Sequence, residues 1–134
     1  MVGRDQHVAF LRSEQIKSYK DLLVWQKSMY LVELVYHATQ GFPKEELYGL
    51  INQIRRAVVS VPSNIAEGQA RHSTAEFRNF LSIARGSLAE VETQLIIALR
   101  LKYLNQEQFN HIMQLHEEVG KMLLALLRKL AASN

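Results

Sequence analysis

The 134-residue chain contains no cysteine. Disulfides, thiolate zinc sites, iron–sulfur clusters and cysteine nucleophiles are thereby excluded, and a reducing compartment is in keeping with that absence. Proline and glycine are scarce, with two and six residues, so a turn-rich β-sandwich is not expected. No apolar run approaches the ~20 residues of a membrane span. The opening MVGRDQHVAFLRSEQ lacks a long apolar stretch and a small-residue cleavage site, so it does not read as a secretory signal.

Chemistry-bearing patterns are missing as well. Di-iron bundles need Glu-x-x-His pairs, but Glu33 is followed three residues later by Tyr36, and Glu118 by Lys121. His116-Glu117-Glu118-Val119-Gly120 lacks the second histidine of a zinc-protease helix. His37, His72 and His111 have no ligand partner at short spacing, and Gly41, Gly49, Gly68 and Gly86 are isolated rather than grouped into a phosphate-cradling loop. No Ser/His/Asp set assembles, and Ser60 and Ser63 flank Pro62, where they read as backbone support. The expectation is a soluble, cytoplasmic protein that is not an enzyme and uses no metal or cofactor.

What is present is helical pattern. Hydrophobic residues make up 48% of the chain, enough for one core at single-domain length. Turn signals at Gly41-Phe42-Pro43, at Glu67 to Ser73 and at Leu104-Asn105-Gln106 separate segments whose apolar residues recur at gaps of three and four, the spacing of one helix face. A first helix is predicted from about Asp21 to Thr39, with its seam at Leu22, Trp25, Met29, Val32 and Tyr36. A second opens at Pro43, carries Leu47, Ile51, Ile54, Val58, Val61 and Ile65, and is expected to kink at Pro62 and stop at Gly68. A third is capped by Ser73 or Thr74 with Glu76 in capping-box position. Its seam is a strict heptad of Phe77, Leu81, Ala84, Leu88, Val91, Leu95 and Ala98, and Gly86 within it is expected to permit a close approach. The fourth, from about Asn105 to Leu130, carries Phe109, Ile112, His116, Val119, Leu123, Leu126 and Leu130, with His116 read as a hydrogen-bonded core histidine. Short connections between four seams predict an all-α, antiparallel up-down-up-down four-helix bundle over residues 19–132. Residues 1–18 form a tail, either loose or a short docked helix around Val8-Ala9-Phe10-Leu11.

The helices carry more apolar surface than one core needs. Phe80, Ile83, Ile97 and Leu101 form a row beside the third seam, and Leu115, Met122, Leu127, Leu23, Tyr30 and Leu34 also lie off-seam. A wide core stripe accounts for some of them. The row on the third helix is assigned to a homo-oligomer interface.

Charge is concentrated. Residues 53–85 hold Arg55, Arg56, Arg71, Arg78 and Arg85 against Glu67 and Glu76, which is the whole net excess of +3. Arginine's planar fork matches phosphate oxygens. Arg78 and Arg85 are seven apart and share a helix face, while Gln53, Arg56, Ser60, Asn64 and Glu67 share another. The five arginines therefore read as a nucleic-acid-binding surface, with a solvated face or arginine–glutamate pairing as the alternative.

The run Gln53-Ile54-Arg55-Arg56-Ala57-Val58-Val59-Ser60-Val61-Pro62-Ser63-Asn64-Ile65-Ala66-Glu67-Gly68, followed by Arg71, is distinctive. So are Asp21-Leu22-Leu23-Val24-Trp25-Gln26-Lys27, Phe42-Pro43 with Glu46, and Ala84-Arg85-Gly86-Ser87-Leu88-Ala89-Glu90. Together, from about Tyr19 to Leu130, they resemble the four-helix-bundle family named after proteins encoded in 23S rRNA intervening sequences. The resemblance implies a bundle that assembles as a ring-like homopentamer with a basic surface for nucleic acid, RNA or DNA. The family is similar in fold to the accessory protein of diversity-generating retroelements, which binds nucleic acid and a reverse transcriptase. A protein-interaction scaffold docking such an enzyme is thus the alternative function. Gln53, Arg56, Ser60, Asn64, Glu67 and Arg71 match the motif, with structure and binding both open as their roles.

Overall fold

The computed structural model describes residues 17–132, and it is all-α, with four long helices and no strand among the described residues. Helix α1 is Leu23–Thr39, α2 is Leu50–Gln69, α3 is Thr74–Arg100 and α4 is Gln106–Ala132. Each helix packs on the next, and α1 packs on α4, so the four enclose one core. The sequence expectation for residues 1–18 falls almost entirely outside the described residues. Of that stretch, Ser18 caps a 3-10 turn at Tyr19–Asp21, reciprocated by the Asp21 carboxylate.

The heptad seam of α3 is buried along its whole length, from Phe77 to Ala98. In α2, Ile51, Ile54, Val58, Val61 and Ile65 are buried, and in α4 Ile112, His116, Val119, Leu123 and Leu130 are. Each fully buried Leu, Ile or Phe contributes about 1.5–3 kcal/mol.

The first helix is rotated from its predicted register. Its buried stripe is Val24, Ser28, Leu31, Val35 and Thr39, whereas Met29 and Tyr36 are exposed. Ser28 and Thr39 tolerate burial because their hydroxyls bond their own helix, Ser28 Oγ to the Trp25 carbonyl at 2.8 Å and Thr39 Oγ1 to the Val35 carbonyl at 2.9 Å.

The second helix also begins later than predicted. Pro43 precedes a separate 3-10 turn, Lys44–Glu46, and Leu47 is 48% exposed outside the helix. The Glu46 carboxylate accepts from the Leu50 amide at 3.1 Å and from Tyr103 Oη at 2.9 Å, tying the start of α2 to the α3–α4 turn. That hydrogen bond, then burial, then the charge of Glu46 and Glu45, raise the Tyr103 pKa above the ordinary phenol value. The α3–α4 turn is a Schellman arrangement: Tyr103 N–H donates to the Ala98 carbonyl and Lys102 N–H to that of Leu99. Lys102 sits there at φ 65°, the left-handed region that glycine normally fills. Asn105 and Gln108 then exchange side-chain to backbone bonds at 2.9 and 2.8 Å and cap α4.

The close approach predicted at Gly86 is found at Gly68 instead. Gly68 is buried, and a Cβ there would lie 2.7 Å from Phe80 Cβ and 3.0 Å from Phe77 Cδ1, so it admits α3 against α2. Gly86 is exposed, and a Cβ there would meet nothing within 4 Å. Heptad position alone does not tell a glycine on the packed flank from one on the open flank.

Gly68→Ala is expected to destabilise the bundle by about 1–3 kcal/mol through overpacking. Gly86→Ala is expected to stabilise it by up to about 1 kcal/mol through helix propensity. Urea unfolding midpoints of the two variants, moving in opposite directions from the parent, check this assignment.

Candidate nucleic-acid interface

The five predicted arginines do not share one surface. Arg55, on α2, turns toward α1. Its Nε donates to Thr39 Oγ1 at 2.9 Å, an outer nitrogen donates to the Tyr36 carbonyl at 3.4 Å, and the guanidinium lies 4.5 Å from the Tyr36 ring centre. Thr39 therefore accepts from Arg55 while donating back into α1, and Arg55 is a tether between two helices. Arg71 closes the α2–α3 corner: it pairs with Glu67 at 2.9 Å, reaches Glu76 at 3.9 Å and covers the Phe80 ring at 4.9 Å. Two of the five are thus engaged within the chain.

The motif residues of α2 line its border with α3. Ser60 Oγ and Ser87 Oγ are 2.8 Å apart, and Asn64 Nδ2 donates to the Ser60 carbonyl at 2.8 Å and to Ser60 Oγ at 2.9 Å. Pro62 lies inside α2 without ending it. Asn64 supports the carbonyl of Ser60 rather than that of Val58, which is the one the proline leaves without its usual donor. Gln53 and Arg56 are exposed and border a small polar groove with Ser60 and Glu90. Arg56 has no ion pair among the described residues. Along the same flank of α3, Phe80 is half-buried under Arg71, while Ile83, Ile97 and Leu101 are 45%, 41% and 51% exposed.

Arg78 and Arg85 lie on the opposite flank of α3 and meet α4. They border a groove of about 530 Å³ with Asn79, Ser82, Leu127 and Arg128. Arg85 continues into a second groove of about 430 Å³, where Lys121 joins it. Arg85, Lys121 and Arg128 are exposed and Arg78 half-buried. None of the four has an ion pair among the described residues. Lys121 and Arg128 were not singled out from the sequence, although they stand seven apart on α4 just as Arg78 and Arg85 do on α3. That shared spacing was the available signal. Beneath this surface His116 is 7% exposed, and its Nε2 donates to the Leu88 carbonyl at 2.7 Å, joining α4 to α3 as a core histidine. Among the described residues no cluster of three or more His, Cys, Asp or Glu is positioned to hold a metal ion, and no helix is long and apolar enough to cross a membrane.

The family described as 23S rRNA-intervening sequence protein matches residues 20–125. The chain belongs to that family. A solved structure from Bacteroides thetaiotaomicron VPI-5482, a protein of unknown function from the S23 ribosomal protein family, is similar at 27% identity with a TM-score of 0.71. The similarity covers 78% of this chain and 98% of that one. No curated protein matches. The family match spans every helix boundary except the last turns of α4, so both the α2–α3 motif flank and the α3–α4 cationic flank lie inside it, save for Arg128.

Arg55→Ala is expected to cost about 1–2 kcal/mol, the sum of a net hydrogen bond and a cation–π contact. Arg56→Ala, its exposed neighbour, should stay within about 0.5 kcal/mol of the parent. Chemical denaturation of both variants tests whether Arg55 holds the fold; equal, negligible effects would remove its structural role.

Proposed function

We propose that this chain is a non-enzymatic nucleic-acid-binding protein that contacts phosphates through the α3–α4 flank. The observation that carries the reading is the convergence of Arg78, Arg85, Lys121 and Arg128 from two helices onto adjoining grooves with no carboxylate paired to any of them among the described residues. An unpaired guanidinium already in place can take a phosphate without first breaking a salt bridge. Along the groove of Arg78 and Arg128 the cations stand at turns of two helices, which suits backbone contacts more than reading of base edges there. Membership of a family described by an rRNA intervening sequence is in keeping with a nucleic-acid context.

The reading includes assembly. Ile83, Ile97 and Leu101, exposed on the motif flank of α3, supply apolar surface for a second copy. A ring of such copies repeats the cationic flank around its circumference and multiplies its field, which a net charge of +3 on one chain does not supply. The same exposed apolar row, with Leu23 and Tyr30 at 54% and 58% exposure on α1, supports a second reading as a scaffold for a protein partner such as a nucleic-acid enzyme. Binding partners that survive nuclease treatment favour the scaffold, and partners lost with the nucleic acid favour the first reading.

Affinity for an RNA or DNA oligomer is expected to fall steeply with salt. The triple variant Arg78→Ala, Arg85→Ala, Arg128→Ala should flatten the slope of log affinity against log salt by roughly two to three while leaving the circular dichroism melt intact. Affinity indifferent to salt and to these arginines refutes the proposal. Ile97→Glu is expected to lower the sedimenting mass to that of a smaller assembly, and an unchanged mass would take that row out of the interface.

A further inference from the structure

The groove that Lys121 shares with Arg85 differs in kind from the rest of the cationic flank. Its walls are apolar, with Leu88, Met113 and Leu124 among them. Arg85 and Lys121 line it together with Glu92, two turns beyond Arg85 on α3, and Glu117, one turn before Lys121 on α4. At about 430 Å³ it falls within the ~300–1,000 Å³ range of small-ligand sites. Gly120 forms part of its wall in the interior of α4. A Cβ there would lie 3.9 Å from Leu88 Cδ1, an ordinary contact. Packing therefore does not require this glycine, and helix propensity disfavours it. What the missing side chain does is leave the groove open. His116 also lines the groove, with Nε2 committed to the Leu88 carbonyl and a buried Nδ1 that has no partner among the described residues.

The geometry points to this groove as a slot for one unstacked nucleobase of a single strand, specifically a base bearing an exocyclic amino group. The inference rests on the phosphate-directed reading above and adds strandedness and base class to it. Arg85 borders both grooves, so a strand following Arg78 and Arg128 arrives at the slot with a phosphate already on Arg85. Glu92 stands two helical turns beyond Arg85, about 10 Å along α3, comparable to the reach from a backbone phosphate to the outer edge of its own base. Leu88, Leu124 and the polarisable thioether of Met113 suit an aromatic face. Glu92, at that distance from Arg85, is an acceptor only, and it matches the N4 amino group of cytosine and repels the O4 of thymine. A base stacked inside a duplex cannot enter.

Fluorescence titrations of the full chain with oligo(dC), oligo(dT) and a mixed duplex of equal phosphate count test this. The parent should bind oligo(dC) at least about fivefold more tightly than oligo(dT), the lower end of one well-made base contact. Gly120→Leu, which fills the slot, should bring oligo(dC) down to the oligo(dT) level and leave the duplex unchanged. Gly120→Ala provides the folding control: it should raise Tm and still narrow the oligo(dC) preference. Glu92→Ala with Glu117→Ala should also narrow that preference, although removing two negative charges by itself strengthens binding to every strand. Equal affinity for oligo(dC) and oligo(dT) in the parent, a preference that survives Gly120→Leu, or a Gly120→Leu loss shared equally by the duplex each overturns the slot. If the parent binds none of the three at low salt, the phosphate-directed reading falls with it; if it binds all three alike, only the slot does.

Discussion

The approach of α3 onto α2 at Gly68 fixes where every other surface of the molecule lies. Phe77 and Phe80 close on a position with no side chain, at distances a Cβ would violate. With the helices held that near, the row of α3 next to its core seam is drawn inward at Ser87 and Gln94, which are buried, and Ser87 reaches Ser60 across the joint. Helical spacing sets Arg78 and Arg85 on the other flank, where α4 supplies Lys121 and Arg128. A motif flank of small polar and apolar groups thus lies apart from a flank of cations that have no ion pair among the described residues.

The sequence was most readable where a single face is apolar and the rest is polar. The α3 seam is of that kind, and all seven of its predicted positions are buried. Helix α1 is not, because leucine, valine, methionine and aromatics occur on nearly every side of it. The buried stripe there contains Ser28 and Thr39, which a hydropathy pattern assigns to solvent. Their hydroxyls are satisfied within the helix, so burying them costs little, and an adjacent stripe one residue away loses the competition. The start of α2 was misplaced for a related reason. Pro43 and the acidic pair after it are good helix-opening residues, yet they serve a 3-10 turn whose Glu46 caps the true helix from outside.

The candidate site was legible as composition and only partly as geometry. A cluster of five arginines in one window is a property of the sequence, but which of them reach solvent unpaired depends on partners far along the chain. Arg55 finds Thr39 sixteen residues away, and that pairing has no local signature. Arg71 finds Glu67 one helical turn back, a spacing that sequence does expose. The exposed Arg71–Glu67 pair contributes little to stability, on the order of 0.2–1 kcal/mol, but it lowers the local potential by one full charge. Lys121 and Arg128 add two cations on the flank where Arg78 and Arg85 lie.

Net charge is consequently a poor guide to what this protein attracts. A polyanion near the surface responds to charges within about a Debye length, roughly 8 Å at physiological ionic strength, not to the sum over the chain. Within that range of Arg78 and Arg128 the flank offers cations, whereas farther along the same two helices Glu92 and Glu117 offset Arg85 and Lys121. A phosphate chain is drawn more strongly to the first stretch than to the second. The field therefore has a direction along α3 and α4, and a strand held there is expected to keep its backbone at the arginine end. That polarity belongs to one helix pair, so assembling further copies around a ring would repeat it with the same sense in every protomer.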